Sequence, residues 1–352
     1  MRLEDLKGRV SDEAFDTFDT AWKHSEDILK KAGEVATHSL DGSALDPSNI
    51  CIAAVGSVAR REAMTASDID LIPIWKGDPK EFPHFNDLTG KVREDLRRAT
   101  GLDVSTSRDL MRSTQLTTLR KADGIGGDQD YRRTLTQRML ILSESSHLAG
   151  GLSIEEVRRE ILEAYVGDRE IERTVSRHPL AVCNDIARYY RTLCVDYKSR
   201  AETKPESWAE RHAKLRNARK LWYFGTLVAI SKNVADIQQG QHRELFDTLA
   251  KTLSLPPILR LFSAADGNAL NHAVNVLNIF AKYLSDMGDQ SFRDELSKID
   301  YESREAETLS DGQRNRYRDM DARAREMSSF MIEMLLSTEE KVRRKAFNWF
   351  FL

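Results

Sequence analysis

The first apolar periodicity along the chain is helical. Phe15, Phe18, Trp22, Ile28, Leu29, Ala32 and Val35 recur close to a 3.6-residue period, and acidic residues lead the first turn. A polar stretch from Asp41 to Asn49, rich in turn formers, ends that helix. The period then changes. Ile50-Cys-Ile-Ala-Ala-Val55 is short, apolar and partly β-branched, which predicts a buried strand. Ile69-Asp-Leu-Ile-Pro-Ile-Trp75 predicts a second, with Pro73 placing it near an edge or taking it out of the ladder there. A charged helix is expected over about 87–99 and a short strand at 102–105. Beyond about residue 107 the pattern predicts no further strand. Helices are expected near 131–148, 153–166, 179–200, 207–233, 239–253, 266–288 and 303–336, with a last one ending at Leu352. The glycine-rich stretch at 124–127 follows a polar segment rather than a strand and is expected to be a loop. The fold class expected is α+β: a small mixed β-sheet core with its N-terminal helix over 1–130, followed by a larger all-helical domain over 131–352.

Composition narrows the classes. With 352 residues, 40% of them hydrophobic, the chain can bury a substantial core. Lys and Arg number 53 against 56 Asp and Glu, a formal net charge of −3, which excludes a strongly basic nucleic-acid coat protein but leaves a local basic cleft open. Three cysteines fit neither a disulfide framework nor a zinc spacing, and the 8 histidines never pair at metal spacing. The first residues lack an apolar signal region, and Trp222–Ile230, the longest apolar stretch, is too short to span a bilayer. A soluble cytoplasmic protein without a membrane partner is expected.

The candidate chemistry lies between the two strands. Asp68 and Asp70 are two residues apart, so on a strand they project to one side while Ile69 and Leu71 project to the other. Two such carboxylates repel unless a cation sits between them, and hard oxygen ligands suit Mg²⁺, whose remaining positions are filled by phosphate and water. Gly56-Ser57 upstream supplies close backbone approach, a hydroxyl and N–H groups for a phosphate. Asp103 offers a third carboxylate, as a second metal ligand or as a base toward an attacking hydroxyl. Arg60 could neutralise phosphate or pair with Glu62 or Asp68. In the helical half, Arg188 and Lys214 are candidate triphosphate cations among otherwise ordinary surface charge.

An apolar strand ending in Ala54-Val-Gly-Ser57, then Arg60-Arg-Glu62, Ser67-Asp-Ile-Asp-Leu71 and Leu102-Asp-Val104, resembles the nucleotidyltransferase superfamily with the polymerase β-like fold. The wording is most similar to stand-alone bacterial relatives of the protein-modifying uridylyltransferases, and antiphage nucleotide synthases and antitoxins share that core. Arg138–Glu144 and Asn184–Arg191 also look similar to the helical extension of such relatives. The resemblance implies phosphoryl transfer: a nucleoside triphosphate, ATP or another since the base is not readable, gives its NMP or dNMP to an acceptor hydroxyl and releases pyrophosphate. It implies Asp68, Asp70 and Asp103 as ligands of Mg²⁺, with Mn²⁺ as a substitute, and Gly56, Ser57, Arg60 and Ser67 on the nucleotide side. The acceptor stays open among a protein side chain, an RNA or DNA end and another nucleotide, and a homo-oligomer is admitted. Ala59-Arg60 stand where many relatives carry a second glycine, and no His-Asp dipeptide of the attached hydrolase domain occurs. The alternative function is a catalytically silent nucleotide-binding or regulatory module.

Overall fold

The computed structural model describes residues 1–65, 67–104, 112–120, 134–166, 179–203, 208–238, 241–300 and 311–350. The chain forms two compact units. One comprises Ala21–Asp185 with Asp236–Pro256, the other Met1–Thr20, Ile186–Ala235 and Pro257–Leu352. The boundary expected near residue 130 and the glycine-rich loop at 124–127 lie outside the described residues. The architecture is α+β, a small mixed sheet accompanied by many helices.

In the first unit the sheet has the order β3-β2-β1-β4, with β1 Ile50–Val55, β2 Asp70–Trp75, β3 Thr114–Gln115 and β4 Ser145–Ala149. β1 pairs antiparallel with both β2 and β4, while β3 runs parallel to β2. Every residue of β1 is buried, because helices cover both faces. On one face Ile50, Ile52, Ala54, Leu71 and Trp75 share a core with Ile28, Ala32 and Ala36 of α1 (Asp12–Leu40). Phe85, Val92 and Leu96 of α2 (Phe82–Thr100) complete that core, and the Trp75 and Phe85 rings stack at 5.3 Å. Beyond α3 (Leu116–Leu119), α4 (Thr134–Ser143) packs near β1 and β4, and α5 (Ile154–Val166) contacts α4. Buried Arg138 of α4 donates to the Tyr165 hydroxyl at 3.0 Å, and that hydroxyl donates to Asp185 at 2.6 Å. Arg138, Tyr165 and Asp185 thus form a buried polar link within this unit, which has to stay complete because an unpaired charge there would be costly.

Two expectations are corrected. The span 131–148 is not one helix: α4 ends at Ser143 and Ser145–Ala149 is strand β4. Ser-Ser-His-Leu-Ala carries no strand alternation of its own. It is extended because Val55, Ala54 and Ala53 pair with Ser145, Ser146 and His147, while Arg158 donates to the Ser145 carbonyl. The strand expected at 102–105 reduces, among the described residues, to one parallel bridge between Val104 and Ile69. Pro73 stays within β2 opposite Ile52, and β3 joins β2 only from Ile74 onward.

The second unit is helical. It holds most of α6 (Leu180–Thr203), α7 (Trp208–Lys214), a π-helical turn at Leu215–Arg219, α8 (Lys220–Asn233), α10 (Pro257–Ser263), α11 (Gly267–Gly288), α12 (Gln290–Leu296), α13 (Asp311–Ser337) and α14 (Glu340–Phe350); α9 (His242–Ser254) belongs to the first unit. α8 is apolar on all sides and buries Leu221, Trp222, Leu227, Val228 and Ile230, with α10 packed along it. α11 lies along α13, and Ala273, Val276 and Phe280 of the one and Ala324, Met327 and Met331 of the other are buried. Among the described residues no helix is long and apolar enough to cross a membrane.

Candidate active site

β1 runs into a tight turn at Gly56, whose φ of +78° is in the left-handed region that favours glycine. The turn closes through Arg60 N–H to Gly56 O at 2.9 Å, Arg61 N–H to Val58 O at 3.2 Å and Glu62 N–H to Ser57 O at 2.9 Å. The N–H groups of Ser57, Val58 and Ala59 have no acceptor among the described residues, and Val58 and Ala59 are buried. Three consecutive N–H groups left in this way are a donor set of the kind that takes the oxygens of an anion.

Two arginines fasten the turn from behind. Arg60 is 5% exposed; its Nε lies 2.7 Å from Glu62 Oε2, and its Nη1 donates to Glu144 Oε2. Of the two roles open to Arg60 in the sequence, the structure shows the pairing with Glu62 and adds Glu144, 84 residues along the chain. Arg61 has a φ of +65°, a conformation that costs a non-glycine residue about 1–2 kcal/mol. It is held there by Glu26 at 2.5 Å, by the Ala59 carbonyl at 3.0 Å and by Ser146 Oγ at 2.9 Å, with its guanidinium over the Trp22 ring.

Asp70 opens β2 directly opposite Val55, so it stands beside the Gly56 turn. A Cβ built on Gly56 would lie 2.9 Å from Asp70 Oδ2. The space a side chain would fill at Gly56 is thus taken by the carboxylate. Ser67 closes the approach to β2: its N–H donates to Met64 O at 2.9 Å, and its Oγ accepts the Met64 N–H at 3.0 Å. Ile69 and Val104 pair and are both fully buried in the core shared with α1 and α2. Side-chain alternation therefore puts Asp68, Asp70 and Asp103 on the other face, and the Asp103 carbonyl accepts the Ile69 N–H at 2.9 Å. Asp68 and Asp103 are exposed and Asp70 is half-buried. Among the described residues, no three His, Cys, Asp or Glu side chains converge as a ready-made metal cluster. The acids share a face; they do not close on one point.

Gly56, Ser57, Asp68, Asp70 and Asp103 thus gather at one end of β1 and β2, with Ser67 beside them and Arg60 beneath the turn. Arg188 on α6 and Lys214 at the end of α7 belong to the helical unit, where Lys214 pairs with Glu210 at 2.8 Å. Sequence reasoning missed Glu144 and Arg61. Glu144 ends the segment 138–144 already singled out by resemblance; Arg61 carried no local signal, since left-handed positions are expected at Gly or Asn. Further along the sheet, Cys51 Sγ lies 3.8 Å from His147 Nδ1, and burial pushes its thiol up to about 12.

Residues 16–114, from the first part of α1 to β3, match the family model described as "Putative nucleotidyltransferase DUF294". The match takes in the Gly56 turn and all three acids and covers under a third of the chain. No curated protein matches the chain.

Proposed function

We propose that the chain, whose residues 16–114 match the putative nucleotidyltransferase family model, transfers an NMP or dNMP from a nucleoside triphosphate to an acceptor hydroxyl, releasing pyrophosphate. The observation that carries this reading is the pairing of unlike groups at one strand end. Three N–H groups at Ser57–Ala59 can take phosphate oxygens, and the Asp70 carboxylate abuts the same turn. A carboxylate beside a phosphate cradle is repulsive unless a divalent cation joins them, and the hard oxygens of Asp68 and Asp70 fit Mg²⁺ or Mn²⁺. When bound, that ion neutralises charge on the transferring phosphoryl group and its leaving oxygen. The protein's own part is positioning. Gly56 lets the backbone approach the phosphates, the Ser57 hydroxyl donates to one of their oxygens, and Arg60 positions the turn through Glu62 and Glu144. Asp103, on the same face, takes the proton from the acceptor hydroxyl or adds a further oxygen ligand.

The test is incubation of the protein with each labelled NTP and dNTP and Mg²⁺ or Mn²⁺, with protein, RNA, DNA and nucleotide acceptors supplied separately and products read by mass. NMP transfer that Asp70→Asn abolishes supports the reading. Wild-type protein that neither transfers nor binds any nucleoside triphosphate refutes it, and binding without transfer would favour the silent module. A role in signalling or antiphage defence rests on the resemblance to nucleotide synthases, and a nucleotide acceptor in this assay is what would support it.

A further inference from the structure

The helical unit carries a group of nucleophilic and titratable side chains that the chemistry at the acids leaves unused. The Tyr190 ring of α6 stacks on the Tyr223 ring of α8 at 4.4 Å, with 4° between their planes. Cys194 follows Tyr190 by one helical turn and Lys220 precedes Tyr223 by about one turn, so thiol and amine stand in the same seam. Each influences the other's titration, as neighbours do. α13 closes a third side: Lys220 Nζ donates to Ser328 Oγ at 2.7 Å, and Asp321 pairs with Arg216 at 3.1 Å. All of these residues are half-buried. The π-turn at Leu215–Arg219, which carries Arg216, leads into Lys220, and such wide turns occur mostly at functional positions.

The seam suits a neutral amine better than an ammonium. Burial first, and then the neighbouring Arg216 cation, lower the Lys220 amine below the ordinary lysine range. Cys194 and Asp321 act the other way, but Asp321 is shared between Arg216 at 3.1 Å and Arg325 at 2.7 Å. Ser328 brings no charge. Its hydroxyl donates to the Ala324 carbonyl at 2.7 Å, so toward Lys220 it only accepts. Burial also raises the Cys194 thiol and the Tyr190 phenol and favours the protonated form of both. A protonated thiol is a poor nucleophile, whereas an unprotonated amine is a good one. Arg216 supplies an independent observation. Its Nε is buried and has no acceptor among the described residues, four positions before Lys220 and within electrostatic reach of it. A buried N–H left in this way costs free energy until a carbonyl oxygen meets it.

We propose that Lys220 is an acylation site, taking a short-chain acyl group from an acyl phosphate or a thioester. The amine nitrogen bonds to the acyl carbon, and the carbon–oxygen or carbon–sulfur bond to the leaving group breaks. The leaving phosphate or thiolate carries off the bonding pair, and the amine's proton passes to it or to water. The resulting amide meets each demand of the seam. Its N–H still donates to Ser328, its carbonyl offers an acceptor to Arg216 Nε, and the repulsion between two neighbouring cations disappears. The chain has to be short because the half-buried seam is already occupied by the stacked tyrosines and Cys194. The modification stands whether or not the chain transfers nucleotides.

The test is peptide-mapped mass spectrometry of the full chain after limited treatment at pH 8 with acetyl phosphate or acetyl-CoA, in separate arms that distinguish the two acyl sources. In at least one arm Lys220 should acetylate at least tenfold faster than Lys198 and Lys214, both of which are exposed. In urea the three should react within twofold of one another. The rate at Lys220 should rise with pH through a midpoint below that of Lys198. Arg216→Met removes the neighbouring cation and the waiting N–H, and should slow Lys220 at least fivefold and move its midpoint upward. Wild-type protein acetylated chiefly at Lys220, which needs no variant, should melt no lower than the unmodified chain. The proposal fails if Lys220 reacts no faster than Lys198 and Lys214 in both arms, or if the acetyl group is found on Cys194 instead. It fails equally if the pH midpoint matches that of the exposed lysines, if folded Arg216→Met reacts as wild type does, or if acetylation at Lys220 lowers the melting temperature.

Discussion

Gly56→Ala separates two costs that usually come together. The first is backbone strain. At a φ of +78° an alanine is in the left-handed region, which costs about 1–2 kcal/mol. The second is collision, since the new Cβ would lie 2.9 Å from Asp70 Oδ2. Gly101 supplies the control: it ends α2 with a φ of +69°, and a Cβ there would meet nothing within 4 Å. Gly101→Ala therefore carries the strain alone. Because the atom struck at Gly56 is the tip of a side chain, the collision is relieved by turning the Asp70 carboxylate rather than by moving the sheet. Both variants should consequently lose similar stability, about 1–2 kcal/mol, or roughly 2–8 °C in melting temperature for a unit of this size. They should differ in activity. A shift approaching 1 Å in a catalytic group can cost about 10²-fold, so Gly56→Ala should lose about 10- to 100-fold in nucleotidyl transfer while Gly101→Ala stays within about twofold of wild type. The assay is initial-rate transfer of labelled NMP with Mg²⁺, beside thermal melts of both variants. Equal activity in the two variants, or full activity in Gly56→Ala, would refute the reasoning that the carboxylate occupies the glycine's space.

Asp68→Asn and Asp70→Asn should each lower turnover at least about 10²-fold by removing a charge at the transferring group. Neither should lower the melting temperature, since same-sign charge on one face is relieved; unchanged turnover in both would exclude the acids. Arg60→Ala should destabilise the protein by about 3–5 kcal/mol in urea titration, because it leaves the buried Glu62 and Glu144 without their shared cation. A purely phosphate-binding Arg60 would leave that titration unmoved. Cys51, its thiol raised by burial to about 12, binds its proton more tightly folded than unfolded, so its contribution to stability is present at neutral pH and is lost as pH rises from about 9 toward 12. Peptide-mapped alkylation at pH 8 should leave Cys51 unmodified until the protein is unfolded.

What the sequence made legible is what local chemistry fixes. Ile50–Val55 reads as a strand because nothing in it tolerates water, and Gly56-Ser57 with Asp68 and Asp70 reads as a site because glycine and alternating acids have few other uses together. What was hidden is what distant pairing fixes. Ser145–Ala149 becomes a strand only by lying against β1. The basic run from Arg211 to Lys220 shows the same limit: Lys214 stood out in the sequence as a triphosphate cation, yet it pairs with Glu210 at 2.8 Å within its own helix. A regular helix repeat cannot assign those faces, because the π-turn at Leu215–Arg219 shifts the register partway through the run.

The two arginines of the turn carry the same lesson into the chemistry. In sequence Arg60 could either neutralise phosphate or pair with Glu62 or Asp68 and Arg61 is given no role, yet each guanidinium has a carboxylate partner within the sheet unit. Their partners come from both sides of the turn. Glu26 lies on α1, Glu144 and Ser146 lie at β4, and Ser25 Oγ accepts the Ala63 N–H at 3.1 Å just past the turn. Residues 56–63 are therefore braced against two elements, and the left-handed Arg61 persists because those contacts over-determine it. Bracing of this kind fixes the backbone of Ser57, Val58 and Ala59 before any phosphate arrives, so little reorganisation is needed when charge appears. It also means that the turn itself offers a phosphate backbone dipoles and one hydroxyl, while its side-chain cations are spent on holding its shape. In the proposed reaction a divalent ion at Asp68 and Asp70 is then the charge that the turn lacks, which is why metal dependence and the geometry of Gly56 should fail together.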